Sequence, residues 1–254
     1  MNGFVELITG TLGGGKTLFA VQRMFEHVAR GGHVWSNIQT PNPRFPDSWA
    51  RHLAERHGRK FDPARLVTMT GEQTLAFQKH VPRGTKERAV MVVIDEAGLE
   101  FNAKDHAKMS IEQLALNTYA RKLELQVLYI TQQSADMYKQ FRGKCRCEWQ
   151  CRNLFNQRFM GVIPVKIPLL ARVCYDTTKG KREYLCNDVL AQPKWVWELY
   201  DSDAMTGRGR EVLGDLVQVD GTPLERIERP LVPAARNIRF ALLGAFVCGF
   251  VAFC

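Results

Sequence analysis

The stretch GTLGGGKT, residues 10–17, constrains this chain more than any other. It follows FVELIT (4–9), a compact apolar run of β-forming residues, and opens a segment from 16 to 30 in which Leu18, Val21, Phe25 and Val28 recur at helical spacing before Gly31-Gly32 stops it. A glycine cluster between a strand and a helix turns its backbone N–H groups toward one point, and the helix N-terminus adds partial positive charge there. The pattern is G-x-x-x-x-G-K-[ST], with Gly10, Gly15, Lys16 and Thr17 in the fixed positions. The spacing predicts a phosphate cradle built from Gly10, Gly13, Gly14, Gly15 and the backbone through Leu18. Lys16 would reach the β- and γ-phosphates of ATP, and Thr17 would offer a hydroxyl to Mg²⁺.

Such a cradle needs an acidic residue at the end of a buried strand. MVVIDEAG (91–98) supplies it: Asp95 as a metal residue and Glu96 as the base that orients or deprotonates the attacking water. The same residues fit D-x-x-G, as in GTPases, but Asn102-Ala103-Lys104-Asp105 is not the N-K-x-D order that reads guanine. A Glu directly after the Asp suits an ATPase. At the end of LQVLYIT (125–131), Gln132, and after it Thr131, is placed to sense a γ-phosphate, because ligands of parallel sheets bind at the carboxyl ends of strands. Arg121, closing the helix expected over 110–122, is either an arginine finger reaching into a neighbouring subunit's site or a cation favoured by the helix C-terminus.

Strand and helix patterns alternate from residue 4 to about 141, with strands also at 33–38, 66–69 and 89–95 and helices at 71–80 and 134–141. The expected fold class is α/β: a P-loop NTPase with a mostly parallel sheet and helices on both faces. Residues 39–65, rich in Pro, Arg and His, read as an irregular, solvated basic insertion. Residues 145–186 read as an antiparallel extension, with a hairpin turning near 177–181. Within it Cys145, Cys147 and Cys151 are expected to share one buried sheet face rather than a zinc ion, since Cys145 and Cys151 would stand about 20 Å apart. A short helix is expected near 195–200 and a linker from there to 239.

The chain ends in residues 240–254, fifteen residues without a charge, behind Arg236 and Arg239. As a helix this stretch is about 22 Å long, against about 30 Å of bilayer core, so the expectation is an incomplete single-pass span with the preceding domain in the cytoplasm. The N-terminus has no secretory signal. The net charge of +9 permits nucleic acid or anionic lipid as a partner and selects neither.

GTLGGGKT near the N-terminus, VWSNI, VVIDEA, a helix ending in Arg121 and then LYITQQ together resemble the Zot (zonula occludens toxin) family, which includes the gene I assembly proteins of filamentous bacteriophages. The resemblance covers roughly residues 1–190. It implies an FtsK/HerA-related (RecA-like) ATPase domain over 1–190, a linker over 191–239 and a transmembrane segment at 240–254. It also implies an anchor in the bacterial host inner membrane, a homo-oligomer (a ring such as a hexamer), and coat protein and single-stranded DNA as partners. The implied function is a motor that drives phage assembly and extrusion. The alternatives are a DNA-translocating ATPase of conjugation or packaging, and a scaffold that uses nucleotide only as an assembly switch.

Overall fold

The apolar runs of the sequence become the middle of one eight-stranded sheet in the computed structural model, which describes residues 3–104, 110–159, 163–165, 169–178, 182–202 and 204. Its parallel part is β1 (Phe4–Thr9), β2 (His33–Ser36), β3 (Leu66–Thr68), β4 (Val90–Ile94), β5 (Leu125–Ile130) and β6 (Cys147–Asn153). Two further strands, β9 (Leu169–Asp176) and β10 (Glu183–Ala191), join antiparallel, giving the order β10-β9-β6-β1-β5-β4-β2-β3. A separate antiparallel pair, β7 (Gln157–Phe159) with β8 (Ile163–Val165), lies between β6 and β9 in sequence.

Every residue of β4 and β5 is buried, as strands covered on both faces require. Within these runs the side chains still alternate. Ile8, Met91, Val93, Leu128 and Ile130 pack on one face with α1 (Lys16–Ala29), α2 (Ser48–His57) and α8 (Lys194–Trp197). Val5, Leu7, Val92, Val127 and Tyr129 pack on the other. That second layer comprises α3 (Gly71–Leu75), α4 (Phe77–His80), α5 (Ala97–Glu100), α6 (Ile111–Tyr119) and α7 (Lys139–Arg142). Ser110 caps α6 as its position predicts, in a reciprocal box with Gln113 that satisfies two orphan N–H groups.

Several expectations are corrected. The insertion at 39–65 is not irregular throughout: α2 buries Trp49 and Leu53 against α1, at roughly 1.5–3 kcal/mol per fully buried large apolar side chain. Its aromatic and polar side chains also hold the chain after β10. Trp49 Nε1 donates to Leu199 O at 2.9 Å, Asn42 Nδ2 donates to Tyr200 O at 2.9 Å, and Val196 and Leu199 are buried. The helix expected over 134–141 is a 3₁₀ turn followed by the single turn α7, and that over 71–80 breaks at Ala76. β6, expected as part of the antiparallel extension, pairs parallel with β1. Cys145 lies in the cluster with Phe141, opposite Cys151 and α1, so the three cysteines do not share a face: Cys145 precedes the strand and escapes its alternation. Of the linker expected over 191–239, the stretch 194–200 is instead the helix α8 and packed residues after it, Val196, Leu199 and Tyr200 being buried; from 205 on, the linker and the membrane segment expected at 240–254 lie outside the described residues.

The parallel topology gives the sheet two unlike ends. Connections leaving β1 to β5 at their carboxyl ends (10–15, 37–47, 69–70, 95–96, 131–133) hold one Arg against three acids, net −2. Connections entering the strands at the other end (30–32, 58–65, 81–89, 120–124, 143–146) hold eleven Lys and Arg against three acids, net +8. The whole chain carries +9, so everything outside these two sets of connections sums to +3.

Candidate functional site

The glycine loop lies where β1 hands over to α1, at the carboxyl end of the sheet between β5 and β6. Gly13 and Gly15 take φ of 70° and 86°, the left-handed conformations that turn successive N–H groups inward. Gly15 is the N-cap of α1 and provides no side-chain cap, so no side chain of its own covers the first-turn donors of the helix. Space also demands glycine. A Cβ on Gly10 would stand 2.4 Å from Cys151 O, and one on Gly15 would stand 2.5 Å from Leu170 Cδ1. The strands β6 and β9 thus form the wall behind the loop, and Asn153 Nδ2 donates to Gly13 O at 3.2 Å. Lys16 is buried, its ammonium donating to Gly10 O at 2.9 Å and Thr11 O at 3.0 Å. Leu18 gives its side chain to the core, leaving only its backbone at the loop.

Thr17 and Asp95, 78 residues apart in sequence, meet beneath the loop. Thr17 Oγ1 donates to Asp95 Oδ2 at 2.9 Å, and Glu96 N donates to Asp95 Oδ1 at 2.9 Å. Asn37, at the end of β2, brackets the same residue: its Oδ1 accepts from Asp95 N at 2.7 Å and its Nδ2 donates to Asp95 O at 3.0 Å. Burial pushes the Asp95 carboxyl above its usual range, against the hydrogen bond from Thr17 and the charge of Lys16. Glu96 has φ 50° and ψ 40°, a left-handed conformation costly for a non-glycine residue and characteristic of strained sites. Burial, then Asp95 and Asp136, raises its pKa, with Lys16 opposing.

Thr131 is buried at the end of β5, its N–H donating to Ile8 O at 3.0 Å and its hydroxyl to Gln133 O at 3.3 Å. Gln132 O accepts from Gly10 N at 3.3 Å, which ties this strand end to the glycine loop, while the Gln132 side chain is exposed. A Cβ on Gly98 would lie 2.7 Å from Thr131 Oγ1, so the glycine of the D-x-x-G pattern is explained by close packing on Thr131. Arg121 is not brought to the loop. It is exposed in the connection entering β5, where Gly3 and Ala120 are in contact, at the amino end of the sheet. A six-residue strand separates the two ends by roughly 17–20 Å.

Asn37, Asn153 and the Cys151 carbonyl are site residues that sequence reasoning passed over. Asn37 was visible inside VWSNI, ending a strand that the parallel order sets beside β4. The donors beside the loop, a hydroxyl and a carboxylate, are hard oxygens of the kind that hold Mg²⁺. The cysteines are different: burial pushes the Cys145 and Cys151 thiols up to about 12, far from the thiolate that zinc needs. Among the described residues no three His, Cys, Asp or Glu side chains gather as a metal set.

Residues 4–207 match the sequence profile of the family described as Zonular occludens toxin (Zot). The chain is 31% identical over 143 residues to the Gene 1 protein of Enterobacteria phage I2-2 and 30% identical over 145 residues to that of Salmonella phage IKe. Each match spans 54% of this chain but only 37% of the relative. Among solved structures, the N-terminal domain of zonular occludens toxin from Neisseria meningitidis superposes with a TM-score of 0.47 at 17% identity, over 79% of this chain and 100% of that one. With a profile match over most of its length, this chain belongs to the Zot family.

Proposed function

We propose that the chain is the ATP-hydrolysing part of a membrane-anchored motor that drives filamentous phage assembly and extrusion, acting on coat protein and single-stranded DNA. The observation that carries the reading is the Thr17–Asp95 hydrogen bond beside a glycine loop with Gly13 and Gly15 in left-handed conformations. In this reading the Lys16 ammonium exchanges the carbonyls of Gly10 and Thr11 for the phosphate oxygens of ATP. The backbone of 13–18 and the start of α1 bind the β-phosphate. Thr17 and Asp95 would hold Mg²⁺, whose contribution when bound is to neutralise phosphate charge. Asn37 fixes the Asp95 backbone. Glu96, half-buried with a raised pKa, takes the proton of the attacking water, and its left-handed backbone sets the direction of the carboxylate. Gln132 and Thr131 end the strand bonded to the loop and can report the γ-phosphate to the rest of the sheet.

Membership of the family and the Gene 1 relatives support the phage assignment. The uncharged stretch 240–254 behind Arg236 and Arg239 supports the anchor, and a ring-forming oligomer belongs to the same reading. The test is ATP turnover by the full chain in bilayers, with single-stranded DNA and coat protein added separately. Turnover that requires coat protein agrees with the proposal. Stimulation by DNA alone points to a translocating ATPase instead, and tight nucleotide binding without turnover in the assembled multimer points to a nucleotide-switched scaffold.

A further inference from the structure

The amino end of the sheet carries a surplus of charge that the nucleotide site does not use. The cations stand in a row set by strand order. Lys144 and Arg146 precede β6, Arg121 and Lys122 precede β5, and Lys86 and Arg88 precede β4. Beyond these come Arg30 before β2, then Arg59 and Lys60 before β3, and all of them are exposed. Six adjacent strands make this row about 24 Å wide. Its loops are knitted together: Gly84 N donates to Leu123 O at 3.0 Å, Arg83 Nη2 donates to Lys122 O at 3.1 Å, and Arg65 Nη1 donates to Gly31 O. The side chains therefore ride on a fixed edge.

We propose that this row rests on anionic phospholipid headgroups and lays the domain on the bilayer with its nucleotide loop facing away. The inference builds on the membrane anchor in the reading above. Three observations select lipid over a nucleic-acid strand. The row lies on the end of the sheet remote from the glycine loop, roughly 17–20 Å away along the strands, which suits a stationary contact and not a travelling one. Single-strand surfaces interleave their cations with a series of stacking rings; here the exposed ring beside the row is Tyr119, with Lys122 Nζ 5.3 Å from its centre. A tyrosine next to a lysine is the pairing that settles at a headgroup interface. Finally, the opposite end, net −2, faces the aqueous phase that supplies ATP once the +8 end is on the membrane.

An apolar anchor is indifferent to headgroup charge and to salt, whereas the row is sensitive to both, so the two can fail separately. The full chain is reconstituted in bilayers of phosphatidylcholine alone and of phosphatidylcholine with phosphatidylglycerol, and amide hydrogen exchange is read in loops 81–89 and 120–124. Exchange is expected to slow about tenfold or more in the anionic bilayer only. Salt of about 1 M, where the screening length falls to about 3 Å, should abolish the protection. The triple variant Lys60→Gln, Lys86→Gln, Lys122→Gln should lose it, while Arg44→Gln, Lys104→Gln, Arg152→Gln, with the same loss of charge elsewhere, should keep it. Equal exchange in both bilayers overturns the proposal. So does protection that appears with an added single-stranded oligonucleotide regardless of lipid, which would make the row a nucleic-acid surface.

Discussion

The two ends of the sheet solve opposite problems with the same topology. At the carboxyl end the chain gathers backbone N–H groups, one buried lysine, one buried carboxylate and one half-buried one, and the connections around them are nearly free of other charge. At the amino end it gathers exposed Lys and Arg with little buried chemistry. The difference teaches where precision comes from. The phosphate end works by conformation and burial: positive φ at Gly13 and Gly15, a left-handed Glu96, and an Asp95 held by three side-chain or backbone donors. A single atom out of place there matters. The basic end works by number, and any one of its cations is dispensable.

That contrast is broken most sharply by single substitutions that should be drastic at one end and silent at the other. Lys16→Ala removes the ammonium that the proposed function places on the γ-phosphate and should lower ATP turnover by about a hundredfold or more. Lys86→Gln in the same chain should leave turnover within about twofold, measured by phosphate release at saturating ATP. Equal effects would mean that the amino end is part of the catalytic unit. Next in size is Gly15→Ala. The added methyl meets Leu170 and must also adopt φ 86°, so a loss of about 2–4 kcal/mol is expected from overpacking and backbone strain together, read by denaturant unfolding.

Most of the carboxyl end was legible in the sequence, because there chemistry fixes spacing. Lys16, Thr17, Asp95 and Glu96 sit together as the motif order requires. What was not legible depends on which strands become neighbours. Asn37 reaches Asp95 only because β2 pairs with β4, and Cys151 walls the loop only because β6 pairs parallel with β1. A basic residue at a helix end looks alike at either end of a sheet, so the sequence alone did not say which end Arg121 joins; its place before β5 puts it with the cations of the amino end. The helix α2 was hidden because its polar residues outnumber its apolar ones, and it is held by tertiary contacts of Trp49 and Leu53. The basic row was invisible for a similar reason: nine exposed cations scattered over five loops become one surface only when the strands are ordered.

Asn37→Ala is a milder way to sharpen the comparison. It removes two buried hydrogen bonds to the Asp95 backbone and leaves both groups without that partner. A stability loss of about 2–3 kcal/mol is expected, with turnover falling further than KM changes, because Asp95 loses its positioning and not its charge. A pure stability effect, with kcat intact in the folded fraction, would show that Asp95 is placed by Thr17 and the strand alone.

The smallest expected effect concerns Glu96 and has an unusual sign. Its carboxyl titrates above its ordinary value of 4.5 in the fold, through burial and then the neighbouring Asp95 and Asp136. The native state therefore holds a proton that the unfolded chain has already released, so folding stability falls as pH rises from 4.5 through the raised native value. Glu96→Gln removes that burden and the proposed catalytic base in one step. The variant should unfold at a slightly higher temperature than the parent at neutral pH, with the two curves converging as pH falls toward 4.5, while its ATP turnover is lost. A cationic side chain at the amino end has no such coupling of instability to chemistry. If Glu96→Gln were instead less stable than the parent at neutral pH, the strain at this end would lie in the left-handed backbone, which the substitution keeps, and not in the crowded carboxylates.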